Sequence, residues 1–266
     1  MDADSARPHA GRMLDFYLGG TLHTAADRAA ARRMLEVNPH LITSARVNRR
    51  FIDRSVRYLV GSRGITQFLD LGSGIPTRTP EYPNLHESAQ AVDPACRVVY
   101  VDNDPAVRAY AAELLTSTPQ GRAVYVEADV TDGAALYERP EIAGVLDLTR
   151  PVALGMNALL HFFADDAQAR GLVEAFTGPL AAGSHLTLTH ITRDWAPEVM
   201  DALVRLYRED VTDGGARSRA EIEALVGGLD VVSPGVVNPA DWRPGPGDAP
   251  VPAEQVNLYA LLARVP

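Results

Sequence analysis

The sequence contains no lysine: all 25 of its basic residues are arginine. That absence removes the phosphate-cradling loop ending in Gly-Lys-Ser/Thr, and no G-x-S-x-G nucleophile elbow occurs either. Cysteine is nearly as scarce. With Cys96 alone, an internal disulfide framework and a cysteine-rich metal site are excluded, and a reducing compartment, the cytoplasm, is the expected setting. No apolar run approaches the roughly 20 residues of a membrane span, and residues 1–12 lack the apolar core of a signal peptide. Acidic residues number 34 and the net charge is −9, which argues against an extensive nucleic-acid surface, although a local patch for RNA remains compatible. Histidine, aspartate and glutamate nowhere cluster at metal-ligand spacing, so no metal is expected.

What is present is a rhythm of helices followed by alternating strands and helices. Thr24 and Asp27 have the form of a capping box opening AADRAAARRMLEV, and Asn38-Pro39 closes that helix. A second helix is expected in ITSARVNRRFIDRSVRYLV, where Ile52, Val56 and Leu59 share a face. From Ile65 the pattern changes. ITQFLDLGSG, CRVVYVDND, RAVYVEADV, RPVALGMNALLHFF and SHLTLTHI read as five strands. The intervening helices carry recognisable starts: HESAQAV, Asp104-Pro105, Asp165, and the Ser218 to Glu221 box. LDVVSPGVV and VNLYALLARV read as a closing pair of strands, with DWRPGPGDAP as a surface loop. The alternation predicts an α/β, doubly wound, mostly parallel sheet covered on both faces.

In such sheets ligands bind outside the carboxyl ends of the strands, where the strand order reverses. Here those ends are Asp70, Gly72, Ser73 and Gly74 after the first strand, and Asp102 with Asn103 after the second. The third strand ends in Ala128, Asp129 and Val130, and the fourth in Asn157. Gly72 and Gly74 allow a tight turn and a close backbone approach. Asp102 can accept from both hydroxyls of a ribose, and Asp129 from an adenine amino group. The strand ends thus agree on an adenosine-shaped site. A nicotinamide dinucleotide would share the glycines and the acid, but its G-x-G-x-x-G fingerprint fails at Thr77. Asp70 beside the loop also disfavours a pyrophosphate and favours a cationic amino group.

With these residues in view, DLGSGIP, VVYVDND, VEADV and LLHFF, together with RMLDFYLGG, AADRAAARRML, ARVNRRFIDRSVRYL and RSRAEIEALVGGLDVVSPGVV, resemble an S-adenosyl methyltransferase family of high-GC Gram-positive bacteria. The resemblance covers nearly the whole chain. It implies a seven-stranded, Rossmann-like class I methyltransferase sheet with an antiparallel last strand, and S-adenosylmethionine as cofactor. It implies one domain over residues 1–266, with a helical extension or lid at 1–60 and the core at 61–266. It further implies that Tyr17, Gly19 and Gly20 approach the methionine end of the cofactor, and that Arg46 or Asn48 holds its carboxylate. Two departures, GMNALL with its Asn157 and the TRTPEY insertion, lie beside the expected pocket, so no acceptor is implied.

For each residue a plainer account competes. Arg46 sits among Arg49, Arg50, Arg54 and Arg57, any of which can be a solvated helix residue. Asn157 can merely satisfy the strand-end backbone. His161, just past the fourth strand, is a candidate base, with His190 and then Tyr17 behind it; the competing account for His161 is a local hydrogen bond beside Phe162 and Phe163. The expected function is methyl transfer to an oxygen or nitrogen of a small molecule. A non-catalytic cofactor sensor or scaffold and an NAD-dependent oxidoreductase are the alternatives.

Overall fold

The apolar runs from Gln67 onward pair side by side. In the computed structural model, which describes residues 7–77, 79 and 81–266, the strands are β1 (Gln67–Leu71), β2 (Arg97–Asp102), β3 (Arg122–Glu127), β4 (Ala153–Asn157), β5 (His185–Ile191), β6 (Asp230–Val231) and β7 (Leu258–Arg264). They form one sheet in the order β3-β2-β1-β4-β5-β7-β6. Strands β1 to β5 are mutually parallel, and β7 runs antiparallel to both β5 and β6. The order reverses between β1 and β4, which opens a crevice at their carboxyl ends.

Around the sheet lie α1 (Ala10–Tyr17), α2 (Ala25–Val37), α3 (Leu41–Arg63), α4 (Leu85–Gln90), α5 (Pro105–Leu114), α6 (Pro140–Ala143), α7 (Asp166–Thr177), α8 (Pro197–Asp210) and α9 (Arg219–Leu225). Because successive strand residues face opposite ways, one run of sequence serves two cores. Leu69, Leu71, Val99, Val101, Leu154 and Leu188 pack toward α7 and α9, against Phe176, Ile222 and Leu225. Phe68, Val98, Tyr100 and Ala153 pack on the other face with Phe51, Val56 and Leu59 of α3 and with Trp242. A third cluster joins Met13 and Tyr17 of α1, Ala31 and Met34 of α2, and Met200 and Leu203 of α8. It holds the amino-terminal helices over the carboxyl edge of the sheet.

The local start signals operate as the sequence predicts. Thr24 Oγ1 accepts from the Asp27 N–H while an Asp27 carboxylate oxygen accepts from the Thr24 N–H, and Ser218 with Glu221 repeats the device at α9. Asp165 caps α7 by accepting from the Gln168 N–H. Two stretches differ from expectation. LDVVSPGVV yields just the two residues of β6 and an isolated bridge between Val237 and Ala260, because Pro234 has no N–H for a ladder and Gly235, at φ 94°, turns the chain away. Residues 130–143, given no element from sequence, form a 3-10 helix (Val130–Glu138) followed by α6. Within the 77–82 insertion, Arg78 and Pro80 lie outside the described residues; Thr77 donates its N–H to Asn84 Oδ1 at 2.8 Å.

One buried cation ties these parts together. Arg12 on α1, 7% exposed, donates from Nε to Asp27 Oδ2 (2.8 Å) and from Nη1 to Asp104 Oδ2 (3.1 Å). Asp27 belongs to α2 and Asp104 follows β2, so a single guanidinium clamps α1 and α2 onto the strand end. Replacing it by a neutral side chain removes the cation from two buried carboxylates that keep His9 and Thr24 as partners, a loss of about 1.5–3 kcal/mol, the range for hydrogen bonds to a charged group. Arg12→Ala is therefore expected to lower the urea unfolding free energy by that amount, and a change below about 1 kcal/mol would mean that the clamp behaves as a surface pair.

Candidate active site

The chain leaves β1 through Gly72, Ser73 and Gly74, and both glycines adopt φ +64°. The positive φ favours glycine at Gly72, and a Cβ there would in addition press on the end of the Leu159 side chain, 2.6 Å from Cδ1. Gly74 faces Gly11 of α1, whose Cα is 3.8 Å from where a Gly74 Cβ would stand. At the end of β2, Asp102 Oδ2 accepts from the Gly74 N–H (2.7 Å) and Oδ1 from the Asp104 N–H (3.0 Å). Burial raises the Asp102 pKa, opposed by those two N–H donors. Each oxygen keeps a lone pair for a further donor. Asp129 caps the 3-10 helix, its Oδ1 accepting from Thr131 N (2.8 Å) and Thr131 Oγ1 (2.7 Å) and its Oδ2 from Asn103 Nδ2 (3.4 Å). The Thr131 bonds hold its pKa below the usual carboxylate range.

These groups border a cavity of about 620 Å³, within the roughly 300–1,000 Å³ of small-molecule sites. The structure brings Tyr17, Asn48, Asp70, Gly72, Ser73, Gly74, Asp102, Asn103, Ala128, Asp129, Val130, Asn157 and His161 to its wall. It leaves Gly19, Gly20, Arg46 and His190 outside the lining. Gly20 serves a turn instead: a Cβ there would be 2.0 Å from Asp15 Oδ1, and Asp15 Oδ2 accepts from the N–H groups of Leu22 and His23. Gly19, at φ 79°, precedes it in the same turn. Arg46 is exposed. His190 lies on β5 next to Ile191, which does line the cavity, and neighbours on a strand face opposite ways. Its Nδ1 donates to the Ile191 carbonyl (2.7 Å) and its Nε2 accepts from Arg217 Nη1 (2.8 Å). Both ring nitrogens are occupied, burial lowers its pKa to about 4, and a role as base is removed.

Several wall residues were not singled out from sequence. Arg49 is the chief one. Ala45, Asn48, Arg49 and Ile52 all line the cavity, and their i, i+3, i+4, i+7 spacing on α3 is the signal that separates Arg49 from Arg46. The Arg49 guanidinium is buried enough to lower its pKa, with Asp70 and then Tyr100 opposing. Asp70 is pushed up to about 7 by burial, against the pull of Arg49 and with a further push from Asp102. Gly155 on β4 makes room for it, since a Cβ there would be 2.7 Å from Asp70 Oδ1. Among the described residues, Asn48 Oδ1, Arg49 Nε, Ser73 Oγ and Asn157 Oδ1 are buried with no hydrogen-bond partner. Unsatisfied polar atoms gathered on one cavity wall are what a polar ligand would satisfy.

His161 is also among these orphans, through Nδ1. It packs on Phe162 with ring centroids 4.3 Å apart, and burial holds its pKa well below 6.5, helped by His190 and Arg217. The imidazole is neutral. Its loop is fastened by Arg217, itself unforeseen, which donates to the carbonyls of Leu160 (3.1 Å) and Phe163 (2.7 Å) and pairs with Asp166 (2.7 Å).

A parallel sheet with one antiparallel strand, a glycine turn after β1 and an acid after β2 define a nucleoside-cofactor enzyme of the doubly wound class. A sequence profile of the S-adenosyl methyltransferase family matches residues 1–266, and the chain belongs to that family. It is an S-adenosylmethionine-dependent methyltransferase. A crystal structure of a DUF574 family protein from Streptomyces avermitilis MA-4680 is 41% identical, with TM-score 0.94 and 99% of each chain covered. A candidate methyltransferase from Thermobifida fusca YX is 37% identical, with TM-score 0.86, covering 98% of this chain and 96% of that one. Human N-acetylserotonin methyltransferase in complex with S-adenosylmethionine, at 18% identity and TM-score 0.52 over 98% of this chain and 64% of that one, shares the fold. No match was found among curated proteins.

The raised pKa of Asp70 makes its ionisation oppose folding. Below an unfolded value near 3.8 the carboxyl is neutral in both states and carries no penalty. As pH rises toward about 7 the unfolded chain ionises first, so the penalty grows, and above that it is constant. In urea unfolding of the ligand-free protein, Asp70→Asn should gain stability over wild type progressively between those two pH values and then level off. A difference independent of pH would show that Asp70 titrates like a solvated carboxyl.

Proposed function

We propose that the chain transfers a methyl group from S-adenosylmethionine to an oxygen or nitrogen of a small molecule. Asp102 receives the ribose hydroxyls and Asp129 with Asn103 receives the adenine edge. The carboxylate of the methionine moiety is assigned to Arg49 and Asn48 in place of Arg46, because arginine's planar fork bonds both carboxylate oxygens. Asp70 takes the ammonium, with Tyr17 and Asn157 beside it. Residues 1–60 serve as the lid, which the Arg12 clamp and the Gly11–Gly74 approach support.

The observation that carries this reading is the meeting of three strand ends, at Gly74, Asp102 and Asp129, on one cavity wall. The cofactor supplies a methyl group on a sulfonium, which is already a good leaving group. The protein's task is then to align and to exclude water, and alignment alone can supply roughly 7–11 kcal/mol of a barrier. His161 stands where it could take a proton from the acceptor. Its depressed basicity restricts it to nucleophiles that part with a proton readily.

Calorimetric titration with S-adenosylhomocysteine tests the assignment. Binding is expected in wild type, and Asp102→Ala should weaken it about ten- to hundredfold, the equivalent of about 1.5–3 kcal/mol for hydrogen bonds to a charged group. Unchanged affinity would move the ribose elsewhere. Since Asp70 is partly protonated near neutral pH and an ammonium beside it favours the ionised form, binding near pH 7 should release protons. Titrations in buffers of different ionisation enthalpy read that release, which Asp70→Asn should abolish.

A further inference from the structure

The cavity has two chemically different halves. Over β1, β2 and β3 it presents carboxylates and backbone polar groups. Over β4, β5 and β7, on the far side of the strand-order reversal, it presents Ile191, Leu258, Phe162 and, from α8 and its end, Leu203, Val204 and Val211. Tyr207 joins Phe162 there as a tilted ring pair, centroids 6.2 Å apart. The charge is lopsided as well. Across the whole lining, the described residues supply the carboxyl groups of Asp70, Asp102, Asp129 and Asp213 against the single guanidinium of Arg49. That guanidinium already has Asp70 beside it. Asp213 is turned outward, its side chain 70% exposed and paired with Arg208 at 2.9 Å.

We infer that the methyl acceptor is an uncharged molecule with a flat, apolar body, seated against α8 and the Phe162 loop, with its nucleophile turned toward the polar half. This rests on the methyltransferase reading of the same site. An anionic acceptor would meet an excess of carboxylates with no free cation to receive it. A cationic one would lose its hydration against Leu203, Val204 and Val211, where the nearby carboxylate, Asp213, is turned outward and already paired with Arg208. A flat apolar body instead gains contact with both aromatic rings. The neutral state of His161 agrees with an acceptor that brings no charge to be balanced.

Three probes with one body separate these cases: 2-naphthol, 2-naphthoate and 2-naphthylmethylammonium, each titrated near neutral pH with and without saturating S-adenosylhomocysteine. The naphthol should bind about tenfold or more tightly than either charged probe, because burying an unpaired charge is unfavourable. Val204→Asp should abolish naphthol binding while S-adenosylhomocysteine affinity is retained. Val204→Thr, close to isosteric, should weaken it by a smaller factor and guards against a folding defect in the aspartate variant. Equal or tighter binding of either charged probe, or no naphthol binding at millimolar concentration, overturns the inference. Failure of S-adenosylhomocysteine to bind would instead overturn the assignment of the polar half, and the probe titrations without it still decide the apolar half.

Discussion

The 2.7 Å hydrogen bond from the Gly74 N–H to Asp102 Oδ2 joins the ends of two neighbouring strands, and much of the site is arranged around it. It exists because Gly74 sits at φ +64°, which turns its N–H toward β2, and because Asp102 is the last residue of that strand. The bond fixes one lone pair of the carboxylate and leaves others aimed outward. It also fixes the path of the glycine loop, so that α1 can approach until Gly11 and Gly74 nearly touch. A Cβ at Gly11 or Gly74 would stand 3.5 Å or 3.8 Å from the other's Cα, in van der Waals contact, so there is room for a methyl group between helix and loop and little more.

Closing a helix over a site in this way requires an attachment that water does not loosen. Arg12 supplies it by bridging Asp27 and Asp104 while almost fully buried. Asp27 is therefore committed twice, to the capping box of α2 and to the clamp. Burial by itself would raise the Asp27 pKa. The bonds from Thr24, His9 and Arg12 outweigh it and keep the group ionised. The amino-terminal helices are thus held by the ion pairs as well as by the apolar contacts of Met13, Met34 and Met200. A helical segment attached by charge at one end and by packing at the other keeps a defined position without being part of the sheet.

The first three strand ends are legible in the sequence because those apolar runs stop within two residues of a glycine or aspartate, and periodicity requires no knowledge of partners. Asp70, Gly72, Asp102 and Asp129 follow from that rule alone. Long cationic side chains obey no such rule. Arg12 and Arg217 take partners 92 and 57 residues away, and nothing local announces such distances. Arg49 is an intermediate case: the helical spacing from Ala45 to Ile52 marks its face, but only once that face is known to border a cavity. His190 shows the reverse error, since its place at a strand end suggested the site while strand alternation turned it away. Gly19 and Gly20 serve the Asp15 turn, a local role that a glycine pair in sequence does not distinguish from an approach to a ligand.

The same cavity joins a strongly acidic half to an apolar one, and this division bears on how the reaction is driven. Carboxylates near a sulfonium attract it, but that attraction is felt before the methyl group moves as well as during the movement. Interactions equally strong in both states do not accelerate a step. As the methyl group leaves, the cofactor loses its positive charge and the acceptor gains it, so charge moves from the acidic half toward the apolar half. An apolar wall gives that new charge little help unless a proton departs with it. In the proposed reaction that proton goes to His161, which is neutral and lines the cavity just past β4. Because its basicity is held low, the burden falls on an acceptor already inclined to release one, and on the rigidity that Arg217 imparts to the loop carrying His161.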